Sequence, residues 1–229
     1  MTYKGHDFAT GCALIDYERG RMDELTYYDW ITDTSVDDQG AWSYVTDAKF
    51  KSVTNLVHNL VDNVSKNGYM LLNIGPKADG SIPDGAKICL KGIGEWLAIN
   101  GEAIFETVPW VSCGEGPTKM ESAGMFSERK EVTYTSADIR FTSRGNVIFA
   151  IFLGWPSGEK ATIEFNQNED SYFKTIKLLE PGEVQSVEML GVDRQLNFTM
   201  SNAGLEIEVP NHKPCDHAFV FKITRQTPF

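Results

Sequence analysis

Three observations predict a mixed fold, α/β first and all-β after it. Residues 50–100 carry two helix-like patterns around the short apolar run Tyr69-Met70-Leu71-Leu72. From residue 132 onward, short segments alternate apolar and polar residues, with turn signals between them and no comparable helix. The 229 residues suffice for one large or two modest domains, and 41% hydrophobic content is ample for packed cores. The expected domains are 1–112 and 113–229.

Residues 1–49 hold few periodic segments, many aromatics and many carboxylates, which is the composition of long loops. Loops of that length inside a compact domain tend to be functional, so site residues belong here. In the first helix Phe50, Val53, Leu56, Val57, Leu60, Val61 and Val64 recur at steps of three and four, forming one apolar face. His58 falls on the opposite, solvent-facing side. Lys66-Asn67-Gly68 stops this helix, with Gly supplying the left-handed closing residue. Tyr69 to Leu72 shows no alternation and reads as a strand buried on both sides. In such repeating units ligands sit beyond the carboxyl end of the strand, so the turn from Asn73 to Gly80 faces the site. Pro83 opens the second helix and Asn100-Gly101 closes it. Val108-Pro109-Trp110 leaves the α/β portion, and residues 113–130 read as a linker or exposed crossing loop.

Strand-like segments follow at 132–134, 138–142, 147–153, 161–165, 175–179, 205–209 and 218–223. Arg144-Gly145-Asn146, Pro156-Ser157-Gly158 and Ser201-Asn202-Ala203-Gly204 separate them as turns, and this spacing implies an antiparallel sandwich.

With 21 basic against 32 acidic residues the formal charge is −11, which argues against nucleic acid or an anionic membrane as partner. No apolar run approaches the roughly 20 residues of a membrane helix, and no signal peptide opens the chain. Cys12, Cys89, Cys113 and Cys215 form no Cys-x-x-Cys pair, so neither a zinc site nor a redox motif is indicated. His212 and His217 flank Cys215 without a further ligand run. No metal and no cofactor is expected.

A complete (β/α)8 barrel takes roughly 200 to 400 residues, so the part before the sandwich can supply only the last units of one. The stretch from Leu60 to Pro83, containing Asn73-Ile74-Gly75-Pro76-Lys77-Ala78-Asp79-Gly80, closely resembles the segment near the barrel's end in the α-L-fucosidases of glycoside hydrolase family 29. Ile93-Gly94-Glu95-Trp96-Leu97 and the run from Asn100 to Trp110 are similar to that family's helix and exit strand. His6-Asp7-Phe8-Ala9-Thr10 and Asp16-Tyr17-Glu18-Arg19-Gly20 are similar to its acid/base loop.

The resemblance implies release of α-linked L-fucose from fucosylated glycans with retention, by an Asp nucleophile and a Glu acid/base. Retention needs two carboxyl groups about 5 Å apart. It assigns Glu18 as the acid/base, with Asp16, Glu24 and Asp33 as the alternatives, and His6 as a neighbour able to tune it. The nucleophile, the pocket histidines and an arginine preceding the acid/base loop are not found, so activity is expected to need the missing N-terminal half of the barrel. Trp42 in Trp42-Ser43-Tyr44 takes the place of the aromatic that packs on the fucose methyl group. Trp30, beside Tyr27, Tyr28 and Asp29, could line a sugar subsite or plug the core. Asn73 could reach substrate or cap its own turn. The intact enzyme is expected outside the cytoplasm. The competing reading is a non-catalytic carbohydrate-binding or structural sandwich, with Trp155 and Tyr172 as its exposed aromatics.

Overall fold

A computed structural model describes residues 1–4, 8–120, 122–129, 132–167, 176–201 and 203–226. His6 and Tyr172 lie outside them. The chain divides into two compact units, residues 1–98 with 119–133, and residues 99–118 with 134–229. The sequence places one break after 112, whereas the strand that starts at Val108 groups with the second unit, and 119–133 returns to the first.

The first unit is built on four parallel strands, β1 (Thr2–Tyr3), β2 (Leu14–Asp16), β3 (Trp30–Ser35) and β4 (Gly68–Asn73), hydrogen-bonded in that order. Three of them lie in the stretch read as loop. Each is too short, or too mixed in composition, to show a period. Helix α1 (Val53–Ser65) joins β3 to β4, and α2 (Asp84–Asn100) follows β4. Ser52 caps α1 by accepting a hydrogen bond from the Asn55 backbone N–H at 3.0 Å.

The helix stop differs from expectation in one residue. Asn67 takes the left-handed conformation, with φ 69°, while Gly68 already belongs to β4. Gly is required there for another reason: a Cβ would lie 2.4 Å from the Trp30 ring on the neighbouring strand.

Alternation along the parallel strands sorts the sheet into two faces. Trp30, Thr32 and Thr34 are buried on one face. On the other lie Asp16, Ile31, Asp33, Tyr69 and Leu71. Tyr69 and Leu71 are 54% and 59% exposed, so β4 is not a strand buried on both sides. It is the edge of its sheet, and one of its faces is open.

Helix α1 shows the opposite departure. Leu56, Val57 and Val61 of its apolar face are buried, but so are His58, Asn59, Asp62, Asn63 and Ser65. Segment 119–133 accounts for this, because Glu128 accepts from Asn59 at 3.0 Å and Met120 lies 3.6 Å from the Lys66 ammonium. Of the expected linker, 113–130, the part from 119 onward therefore groups with the first unit, while 113–118 belong to the second.

The second unit is an antiparallel two-sheet sandwich. Its strands are β5 (Val108–Glu115), β6 (Ile139–Arg144), β7 (Val147–Phe152), β8 (Lys160–Ile163), β9 (Asn166–Gln167), β10 (Ile176–Lys177), β11 (Val184–Met189), β12 (Phe198–Ser201), β13 (Gly204–Glu208) and β14 (Phe219–Arg225). One sheet has the order β11-β14-β7-β6-β5 and the other β12-β13-β8, with β9 and β10 as a separate pair. Trp110, Phe141, Phe165, Phe221, Leu205 and Ile207 share one core between the sheets. Residues 132–134, read as a strand, are not one; β11 and β12 were not legible, since their outward positions carry mixed polar residues.

Candidate active site

The site is built at the carboxyl end of β2 and β3. Beyond Asp16 the chain continues the parallel ladder, with the Tyr17 N–H donating to the Ile31 carbonyl and the Arg19 N–H to the Asp33 carbonyl, both at 2.9 Å. Glu18 is thereby carried to the same face as Asp16 and Asp33. Lys4, leaving β1, reaches all three: its Nζ lies 2.8 Å from Glu18 Oε2, 3.1 Å from Asp33 Oδ2 and 3.5 Å from Asp16 Oδ2.

Burial works against the Lys4 ammonium, yet its hydrogen bonds to Glu18 and Asp33 and the charge of Asp16 hold its pKa well above the usual lysine range. Burial, then the neighbouring Asp33 charge, raises the Asp16 carboxyl. The third alternative acid, Glu24, is exposed and takes no part in this group.

A loop from 36 to 51 closes beside Glu18. The Lys51 N–H donates to the Val36 carbonyl and the Asp38 N–H to the Lys49 carbonyl, each at 2.9 Å, and pin its base. Asp37 Oδ1 accepts from the Gln39 and Ala41 N–H groups at 2.8 Å each, folding the turn that leads to Trp42. The Arg19 guanidinium donates to the Gly40 carbonyl at 2.6 Å and stacks 4.4 Å above the Trp42 ring.

Asn73, at the end of β4, turns its amide nitrogen to the neighbouring loop. Its Nδ2 donates to the Trp42 carbonyl at 2.8 Å and to Ser35 Oγ at 3.2 Å. Gly75 allows the close packing that goes with this, since a Cβ would fall 2.6 Å from the Ser43 backbone. The Asn-Ile-Gly-Pro run thus holds the loop bearing Trp42.

A cavity of about 580 Å³ opens between these parts, and both Glu18 and Trp42 line it. Trp42 keeps 37% of its surface exposed. The cavity wall includes a buried ionic group missed in the sequence. Lys51 donates to Glu128 at 2.7 Å and to Thr34 at 2.8 Å, while Thr34 donates to the other Glu128 oxygen at 2.6 Å. Desolvation lowers the Lys51 pKa against the pull of Glu128. Nothing in the sequence links a residue at 51 to one at 128.

Trp30 is a correction. It has no exposed surface, its Nε1 donates to the Lys66 carbonyl at 3.0 Å, and its ring meets Tyr17 edge-on at 5.9 Å. It plugs the core under the sheet and offers no surface to a sugar. Trp155, named for the sandwich reading, packs edge-on against Phe219 at 4.8 Å and borders the core.

The family model described as "Alpha-L-fucosidase" matches residues 4–102, and that described as "Alpha-L-fucosidase C-terminal domain" matches 131–224. The plasma α-L-fucosidase of Rattus norvegicus is 32% identical, over 83% of this chain and 37% of its own length. The tissue α-L-fucosidase of Bos taurus is 29% identical, over 90% and 39%. A crystal structure of Thermotoga maritima α-fucosidase in complex with fucose superposes with a TM-score of 0.66 at 31% identity, over 92% of this chain and 42% of that one. The chain thus spans about two fifths of the length of the relatives it matches. With both family models met in order along one chain, and solved fucosidase structures matching more than nine tenths of it, the chain belongs to the α-L-fucosidase family.

Proposed function

We propose that this chain contributes the proton-donor side of a retaining α-L-fucosidase acting on fucosylated glycans. The four parallel strands with α1 and α2 then form the closing units of a (β/α)8 barrel, and the open face bearing Tyr69 and Leu71 turns inward to the remaining strands. One observation carries the reading: Glu18 stands at the carboxyl end of the parallel sheet, where barrel enzymes keep their catalytic groups, on the cavity it shares with Trp42.

Glu18 protonates the departing glycosidic oxygen and then activates water, while the exposed face of Trp42 packs on the apolar edge of the fucose ring. Lys4 orients the Glu18 carboxyl. The attacking carboxylate lies in the part of the relatives' length outside these residues, and activity depends on it. The tissue and plasma names of the relatives favour a place outside the cytoplasm.

In an enzyme assembled with that remaining part, Glu18→Gln is expected to slow poor leaving groups about 10²- to 10⁴-fold. Activated aryl α-L-fucosides should be largely spared in their first step. Rates unchanged from the wild type on both substrates would remove Glu18 from the mechanism.

One observation favours a second reading. Because Lys4 bonds both, the nearest oxygens of Glu18 and Asp33 are no more than about 6 Å apart, close to the spacing of a retaining pair. Were Asp33 the nucleophile, the 229-residue chain alone would hydrolyse an aryl α-L-fucoside. Asp33→Gly would abolish that hydrolysis, and added azide would restore turnover. No hydrolysis by the isolated chain leaves the first reading.

A further inference from the structure

Residues 124–128 are laced to the chain around Glu18. The Phe126 N–H donates to the Glu18 carbonyl at 2.8 Å, the Glu128 N–H to the Arg19 carbonyl at 2.9 Å and the Gly124 N–H to the Arg21 carbonyl at 2.8 Å. Ser127 Oγ accepts from the Arg21 N–H at 2.8 Å. The Glu128 carboxylate, held by Lys51, Thr34 and Asn59, anchors the segment from its other side. Glu18 and this segment therefore share one rigid frame.

That frame holds Phe126 in the left-handed conformation, with φ 59°. A bulky residue rarely adopts it, and such strain gathers at functional sites. A ring packed into a core would offset the cost by burial, but Phe126 keeps 41% of its surface exposed and lines the cavity that Glu18 and Trp42 also line. The charged groups of that cavity are Glu18, Asp37, Asp38 and Glu128 against Arg19, Arg21 and Lys51. An excess of carboxylates disfavours an anionic ligand and suits a neutral one.

We propose that Phe126 forms the leaving-group subsite, its ring stacking on the neutral pyranose whose glycosidic oxygen Glu18 protonates. A pyranose presents an apolar face of C–H groups, which an aromatic ring covers while the hydroxyls turn to the polar wall. The assignment rests on Glu18 as proton donor, since the sugar departing from fucose then lies beside it. With Trp42 on the fucose ring, Phe126 takes the next sugar along the glycan.

The test is binding to the 229-residue chain, read from saturation transfer to the sugar protons and, in the wild type, from the Phe126 ring resonances. The methyl β-glycosides of galactose and N-acetylglucosamine are titrated separately, with glucuronate as the anionic control. Saturable shifts with at least one neutral glycoside, and weaker or no shifts with glucuronate, are expected; the tighter of the neutral pair identifies the leaving sugar. Phe126→Gly deletes the ring and relieves the left-handed backbone, so it should unfold near the wild-type midpoint. Its sugar binding should weaken about two- to tenfold. Phe126→Leu, which keeps bulk without an aromatic face, serves if the first variant fails to fold, and should also bind more weakly. Phe126→Tyr retains the ring and should bind as the wild type does. Phe126 resonances unmoved by both neutral glycosides, glucuronate bound as tightly as either of them, or wild-type binding by the Gly or Leu variant overturns the proposal. Because the readout is binding, its failure leaves Glu18 in place as donor, and a failure of Glu18 shows only in the hydrolysis of the Glu18→Gln enzyme.

Discussion

At the scale of single residues, burial decides which charges matter. Asp62 in the last turn of α1 and Lys66 at its C-cap are paired at 2.8 Å with 1% and 3% of their side chains exposed, and the Met22 carbonyl takes a further Lys66 hydrogen at 2.8 Å. Asp62→Ala leaves the ammonium buried and short of its counter-charge, at an expected cost of about 3–5 kcal/mol. Urea unfolding should show it as a lowered midpoint, while Lys87→Ala, in an exposed pair, should leave the midpoint in place. Glu115 gives the pH-dependent case. Burial pushes its carboxyl up to about 7, against the backbone N–H groups of Glu164 and Phe165 that favour the charged form. Between the ordinary value of 4.5 and that raised value the folded state holds more protons than the unfolded one. Glu115 therefore favours folding below this window, and that contribution, at most about 3 kcal/mol, is lost as pH rises through it. Thermal unfolding from pH 4 to 8 should show this fall for the wild type and a flatter profile for Glu115→Gln; equal slopes would remove Glu115 as the cause.

At the scale of elements, caps and close contacts fix where helices and strands begin. Ser52→Ala removes the cap of α1 and should cost about 0.5–2 kcal/mol in the same unfolding measurement. Gly68→Ala drives a methyl into the Trp30 ring, and the overpacking should cost about 1–3 kcal/mol and alter the near-ultraviolet signal of that indole. A normal stability in this variant would mean that β3 and β4 can separate at Trp30. The periodicity of α1 was readable because its apolar residues face a continuous core. Its buried polar side was not, because Glu128 and Met120 return to cover it from more than 50 residues away.

At the scale of the whole molecule, the open face of the parallel sheet is the feature that a net charge of −11 does not hide. Tyr69 and Leu71 form an exposed apolar pair on an edge strand, the kind of surface that associates unless covered. Leu71→Lys should reduce concentration-dependent association of the isolated chain in sedimentation velocity. If the wild type is already monomeric at high concentration, this face does not drive association.

The sequence alone determined the order of the parts: two helices about an apolar strand, then short alternating strands, with a motif run that resembles a fucosidase. Those signals are local, since periodicity and turn chemistry act over a few residues. Only the tertiary structure decided what converges. Lys4, Glu18 and Asp33 meet because three short parallel strands stand side by side, and Trp30 sinks beneath them while Trp42 is held out by Asn73. The physical reason is strand register: it sets which side chains share a face, and it is fixed by pairing between segments whose spacing in the chain carries no trace of it.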